Sequence, residues 1–98
     1  MTIVWSPLAL DRVAEIAGYI AQDKPSAAEQ WVKAVFAKVE QLEISPEIGR
    51  VVPEIGALQF RELLYSQYRI IYRIEKRSIA ILTVRHVRQI LPIDEIEG

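Results

Sequence analysis

The stretch FRELLYSQYRIIYRIE, residues 60–75, runs through Lys76-Arg77 into SIAILTVRH, residues 78–86, and its alternation decides the architecture. In Tyr68–Glu75 a period of two puts Tyr68, Ile70, Tyr72 and Ile74 on one face and Arg69, Ile71, Arg73 and Glu75 on the other. The first set reads as core. The second presents fixed cations, and arginine seldom sits in a strand core without a partner. A sheet face with several guanidinium groups suits an anion, either phosphate or carboxylate. Phe60–Leu64, Tyr68–Ile74 and Ile79–Arg85 are the expected strands, and the connections at Ser66-Gln67 and Lys76-Arg77 are short enough for an antiparallel meander.

Working outward, Thr2–Trp5 (TIVW) is β-prone and supplies one more strand. Ser6 is placed to cap a helix with Pro7 in its first turn, and Val13, Ile16, Ala17 and Ile20 fall at helical spacing, so a helix is expected from about Pro7 to Gln22. Asp23-Lys24-Pro25 interrupts it. Ser26-Ala27-Ala28-Glu29 reads as a capping box for a second helix, whose buried stripe is Ala28, Trp31 or Val32, Val35, Phe36, Val39 and Leu42. So short a link implies an antiparallel helical hairpin. The two Pro-Glu-Ile-Gly segments, at 46–49 and 53–56, read as turns in a loop region. The expectation is a single α+β domain over residues 1–98, in the order β-α-α-β-β-β, with the hairpin on one face of an antiparallel sheet. The other face should stay open, carrying Arg69 and Arg73.

Composition narrows the function. The chain is 51% hydrophobic, enough for a real core, and leaves little room for a separate cofactor domain, so no small-molecule cofactor is expected. With no cysteine and one histidine, neither a thiolate nor an imidazole metal site is available. No apolar run approaches the ~18 residues of a membrane span, which makes a soluble cytoplasmic protein without membrane contact the expectation. The formal charge of −1 conceals an asymmetry: residues 46–90 carry eight arginines and lysines against four glutamates, while residues 1–45 and the tail are both acidic. A localised anion-binding face fits this better than a general nucleic-acid coat.

The succession LALDRVAEIAGYIAQDKPSAAEQW (8–31), PEIGR (46–50), RELLYSQYRIIYRIE (61–75) and ILTVRH (81–86) resembles the RelE/ParE superfamily of toxins from type II toxin–antitoxin modules, of the plasmid-stabilisation type. The resemblance covers nearly the whole chain and is most specific in R-E-L, Y-R-I-I-Y-R-I and I-L-T-V-R-H, in that order. It implies the same β-α-α-β-β-β fold, growth inhibition by the free protein, and neutralisation by a cognate antitoxin encoded beside it. The superfamily divides between ribosome-dependent messenger-RNA endonucleases, RelE-like, and inhibitors of DNA gyrase, ParE-like. Attack of a 2′-hydroxyl needs a base, an acid for the leaving oxygen and cations on the phosphorane. For that chemistry the sequence offers Arg61, Arg69, Arg73 and Arg85 as cations, and His86 as the only near-neutral acid or base.

The departures from the endonuclease pattern carry more weight. No tyrosine follows Tyr72, and no lysine lies between Lys38 and Lys76, so the basic loop pair of the endonuclease branch is missing. A ribosome-binding nuclease is usually strongly basic, and this chain has a pI near 5.8. Gyrase inhibition needs no acid or base, only a surface, so ParE-like action is the first expectation, RelE-like cleavage the alternative, and an orphan nucleic-acid-binding module the third. On the first reading, Arg50, Arg69, Arg73, Arg85 and Arg88 are the candidates for antitoxin or target contact, with antitoxin wrapping the hairpin and the open sheet face. More ordinary roles are expected elsewhere: His86 as a hydrogen-bonding group at a strand end, Glu62 paired to an arginine across the sheet, and Tyr65, Tyr68, Tyr72, Trp5 and Trp31 in the packing. The tail from Leu91 to Glu97 is expected to be the least anchored segment, offering Ile90, Leu91, Ile93 and Ile96 to gyrase or antitoxin.

Overall fold

The structure, a computed structural model, describes residues 1–97. Strand β1 (Thr2–Trp5) leads into helix α1 (Pro7–Asp23) and helix α2 (Pro25–Glu40), which ends in a single 3-10 turn at Gln41–Glu43. A two-residue strand β2 (Arg50–Val51) precedes β3 (Phe60–Tyr65), β4 (Tyr68–Ile74) and β5 (Ser78–His86), and a last helical turn α3 spans Asp94–Glu97. The five strands form one sheet in the order β1-β5-β4-β3-β2, antiparallel except where β1 runs parallel to β5.

Ser6 caps α1 as its sequence implies: its hydroxyl oxygen accepts from the Ala9 amide at 3.0 Å and donates to the Leu82 carbonyl at 3.0 Å, tying the helix start to β5. The second helix starts differently from expectation. Pro25 takes its first position behind an extended Lys24, which caps without a side-chain bond, so Ser26 and Glu29 lie inside the helix and form no capping box. Proline's fixed φ places the start one residue ahead of the serine.

The helix-facing side of the sheet behaves as the alternation predicts. Ile70 and Tyr72 of β4 join Ile79, Ile81 and Val84 of β5, Leu63 of β3, and Val13, Trp31, Val35 and Val39 of the helices in one buried cluster, with Tyr65, Tyr68 and Ile74 packed on it. Trp31 meets the Tyr68 ring edge-on at 5.2 Å, and Trp5 lies 4.6 Å from Phe36.

A bulge sets the chemistry of β5. Ile71 is opposite Thr83 but Tyr72 is opposite Ile81, so Leu82 is an extra residue. Before it, the odd residues Ile79 and Ile81 face the helices; after it, the even residue Val84 does. The same slip sends Thr83 and Arg85 to the second face.

That second face is not open, which corrects the sequence expectation. Val52, Ile71, Leu82, Leu91 and Ile96 form a second buried cluster there, with Phe60 and Ala80 beside it. The tail is therefore anchored. Leu91 and Ile96 are buried against the sheet, and of the four apolar residues expected to be available only Ile90 and Ile93 are exposed.

Candidate functional site

The expected cationic face exists as a register, but its charges are occupied. On the second face Arg69 of β4 lies directly opposite Arg85 of β5. Like charges facing each other across strands are destabilising unless anions intervene. Three carboxylates do so, from three different parts of the chain.

Glu62 of β3 is wholly buried and accepts from Arg69 Nε at 2.7 Å and from Arg50 Nε at 2.5 Å. Glu54, from the loop before β3, completes the set with a two-pronged pair: Arg69 Nη1 and Nη2 donate to its two oxygens at 2.7 and 2.8 Å. Hydrogen bonding from Arg69 holds the Glu54 carboxyl below the usual carboxylate range, although partial burial pushes the other way. Arg69 itself is only 6% exposed. The expectation of an exposed Arg69 is therefore corrected: it is a buried cation neutralised within the chain, and Glu62 pairs arginines as expected.

The second cluster is built on Glu95 of α3. Arg12 Nη2 donates to its Oε2 at 2.7 Å, Arg85 Nη1 to the same oxygen at 3.2 Å, and Thr83 Oγ1 to Oε1 at 2.7 Å. Burial alone would push the Glu95 carboxyl up, but the Arg12 and Thr83 hydrogen bonds and the Arg85 charge together hold it below its ordinary value.

Arg61 and His86 lie on the other face. Arg61 is opposite Tyr72, on the helix-facing side near the β2 edge, and serves the Pro-Glu-Ile-Gly-Arg loop: Nε donates to the Leu58 carbonyl at 3.0 Å and Nη1 to the Gly49 carbonyl at 3.1 Å. The Tyr72 hydroxyl fastens the same loop, accepting from the Gly49 amide at 3.0 Å and donating to the Pro46 carbonyl at 2.7 Å. A side chain at Gly49 would place its Cβ 2.6 Å from the Glu62 carbonyl oxygen and the Tyr72 hydroxyl, so only glycine fits.

His86 is opposite Tyr68 and meets its ring edge-on at 5.4 Å. Its Nδ1 accepts from the Arg88 amide at 3.0 Å, which requires that nitrogen to be unprotonated, so Nε2 carries the hydrogen and donates to Gln67 Oε1 at 3.1 Å. Both ring nitrogens thus hold the turn after β5 in place.

Of the remaining cations, Arg73 is partly exposed and bonds Glu75 at 2.7 Å, Arg50 is largely exposed above Glu62, and the Arg88 side chain makes no ion pair among the described residues. Reading by sequence missed Glu54 and Glu95 as the partners of the arginines. Alternation within a strand carries no information about carboxylates delivered from a loop and a tail. No cluster of side chains arranged to hold a metal occurs among the described residues, and none of their helices is long and apolar enough to cross a membrane.

A family model described as ParE toxin of type II toxin-antitoxin system, parDE, matches residues 3–91. "Putative toxin Y4kP" of Sinorhizobium fredii (strain NBRC 101917 / NGR234) is 39% identical over 93 residues, covering 92% of each chain. Among solved structures, a chain of the chromosomal ParDE toxin–antitoxin system from P. aeruginosa superimposes with a TM-score of 0.71 at 20% identity, covering 88% of this chain and 95% of that one. A chain of the toxin–antitoxin complex RelBE2 from Mycobacterium tuberculosis gives 0.53 at 18% identity, covering 87% and 95%. The structural likenesses establish a shared fold.

Proposed function

This chain belongs to the ParE toxin family of type II toxin–antitoxin systems, and on that premise we propose that it acts as a ParE-like inhibitor of DNA gyrase and is neutralised by a cognate antitoxin. The supporting observation is the distribution of the four residues an endonuclease would require. Arg69 and Arg85 project from the second face, Arg61 and His86 from the helix-facing side, and each is engaged by its own protein partners. Acid–base cleavage needs the acid, the base and the cations to converge on one phosphate. Arg85 and His86 do line one cleft at the end of β5. Arg69, however, is enclosed by Glu54 and Glu62, and Arg61 is tied to loop carbonyls near the β2 edge, so the full set does not meet at one phosphate. Binding a protein target needs only a shaped surface.

For the antitoxin, the apolar groove along the hairpin, about 490 Å³ and lined by Ala17, Ala21, Ala28 and Val32, suits an amphipathic segment. On this reading the antitoxin continues from the groove around to the second face of the sheet, where its acidic residues meet the exposed Arg50 and partly exposed Arg73, with Arg88 beyond the end of β5. Arg69 and Arg85, neutralised within the chain, are not direct contacts.

The test is a paired assay with purified protein: DNA supercoiling by gyrase, and cleavage of ribosome-bound message. The expected outcome is loss of supercoiling, restored by antitoxin, with the message intact. Message cleavage without any effect on gyrase overturns the proposal in favour of RelE-like action.

A further inference from the structure

The Glu95 cluster has donors that its carboxylate does not use. Arg12 from α1, and Arg85 and the fully buried Thr83 from β5, all direct a bond to Glu95, yet the Nε of both arginines is buried with no partner. Buried N–H groups without a partner are uncommon in folded proteins and call for a specific reason. A carboxylate offers two oxygens in one plane. A tetrahedral oxyanion offers more, in three dimensions, and guanidinium forks suit phosphate geometry especially well.

Two more features distinguish this corner from an ordinary ion pair. The first is access: Arg12 and Arg85, with Tyr68, Gln67, His86 and Arg88, line a cleft of about 570 Å³ between α1 and the end of β5. The exposed Glu15 shares that lining and accepts from Arg12 Nη1 at 3.0 Å. The second is the carrier of the anion. Glu95 sits in a four-residue helical turn held to the sheet by the buried Leu91 and Ile96, so releasing its carboxylate lifts that turn and exposes Ile96, but breaks no strand and neither long helix.

We propose that the corner formed by Arg12, Thr83 and Arg85 is a binding site for a phosphate-type oxyanion, filled in cis by the Glu95 carboxylate when the chain is on its own. The oxyanion replaces the three bonds of Glu95 and adds acceptors for the Nε groups, and Glu95 swings out with its turn. The phosphate is either the free ion or the phosphoryl group of a nucleotide, whose base would lie in the cleft against Tyr68 and Gln67. The site is separate from the gyrase reading and is tested without gyrase.

The experiment titrates inorganic phosphate, and in parallel 5′-AMP, into the full-length protein and the full-length Glu95→Gln variant at constant ionic strength, followed by NMR shifts of the residue 83–88 amides. Saturable binding is expected in both, tighter in Glu95→Gln by at least about tenfold, the loss of one charged competitor for the site. Adding Arg85→Ala to Glu95→Gln should remove it. Tighter binding of 5′-AMP than of phosphate assigns the ligand to a nucleotide, and equal binding assigns it to the free ion. Absence of saturable binding in Glu95→Gln, equal affinity in the two proteins, or full retention in the double variant overturns the proposal. If Glu95→Gln does not fold, hydrogen exchange on the natural chain decides: phosphate, and not chloride at equal ionic strength, should speed exchange in residues 91–96, and no difference between the salts overturns the proposal.

Discussion

The two faces of this sheet follow one alternation and hold together by different physics. Under the helices, Ile70, Tyr72, Ile79, Ile81 and Val84 meet other apolar groups, and stability there comes from removing carbon from water. On the second face, Arg69 and Arg85 stand side by side, and what holds them is a set of carboxylates arriving from β3, a loop and the tail. A strand pattern determines which side chains share a face. It does not determine whether that face meets solvent, protein or an anion.

The sharpest way to break this contrast is to damage each face once. Ile70→Ala should cost about 3–5 kcal/mol as a core truncation, and Glu62→Ala a similar about 3–5 kcal/mol because it leaves Arg69 buried without its inner partner. Denaturant midpoints of the two variants measure this. Replacing Glu62 and Arg69 together by Leu and Met should recover most of the Glu62→Ala loss while leaving that of Ile70→Ala untouched. No recovery would mean that the second face depends on its charges in a way the first does not.

Next in size is the tail. Leu91→Ala should destabilise by about 2–3 kcal/mol, as for a buried leucine and not as for a frayed end. Faster hydrogen exchange in β5 than in the β3–β4 pair would accompany it. A midpoint unchanged from the natural chain would return the tail to the unanchored segment that the sequence suggests.

The third test is acid, to which the apolar face is indifferent. Glu54 and Glu95 both have carboxyls depressed by arginine, so each adds stability that is complete above the unfolded-state carboxyl value, about 4.3, and is lost as pH falls through the lowered folded-state value. Glu54→Gln should therefore be less stable than the natural chain at neutral pH, and the gap should close on acidification. Thermal melts from neutral pH down to about 2, below the carboxyl range, give the comparison, and a gap independent of pH contradicts it.

The smallest effect sharpens the contrast from the solvent side. Arg73→Ala removes an exposed pair with Glu75 and should leave the denaturant midpoint within experimental error. Its effect belongs to recognition: weaker and less salt-sensitive antitoxin binding, read by titration at two salt concentrations.

Much of the fold was legible because its signals are local. The strand limits of β4, the Ser6-Pro7 start of α1 and the helical hairpin each follow from a period, a cap or a φ restriction within a few residues. Strand β2 was not: two residues read as loop until Arg50 pairs with Glu62. Nor was the bulge at Leu82, which decides that Arg85 and not Val84 faces the tail. At the candidate site, the arginines stood out in the sequence because cations in strands are rare, whereas Glu54 and Glu95 looked like ordinary surface acids.

The sequence by itself determined the two long helices, four of the five strands in their order, the helix-facing core and the family resemblance, since periodicity, capping and motif order are properties of neighbouring residues. Only the tertiary structure decided that Arg69 is buried, that Arg61 and His86 lie across the sheet from Arg69 and Arg85, and that Glu95 of the tail is a structural anion. Those facts depend on which distant segments approach one another. A charge becomes a binding group or a structural one according to what reaches it first, and for Arg69 and Arg85 that was a carboxylate of the same chain.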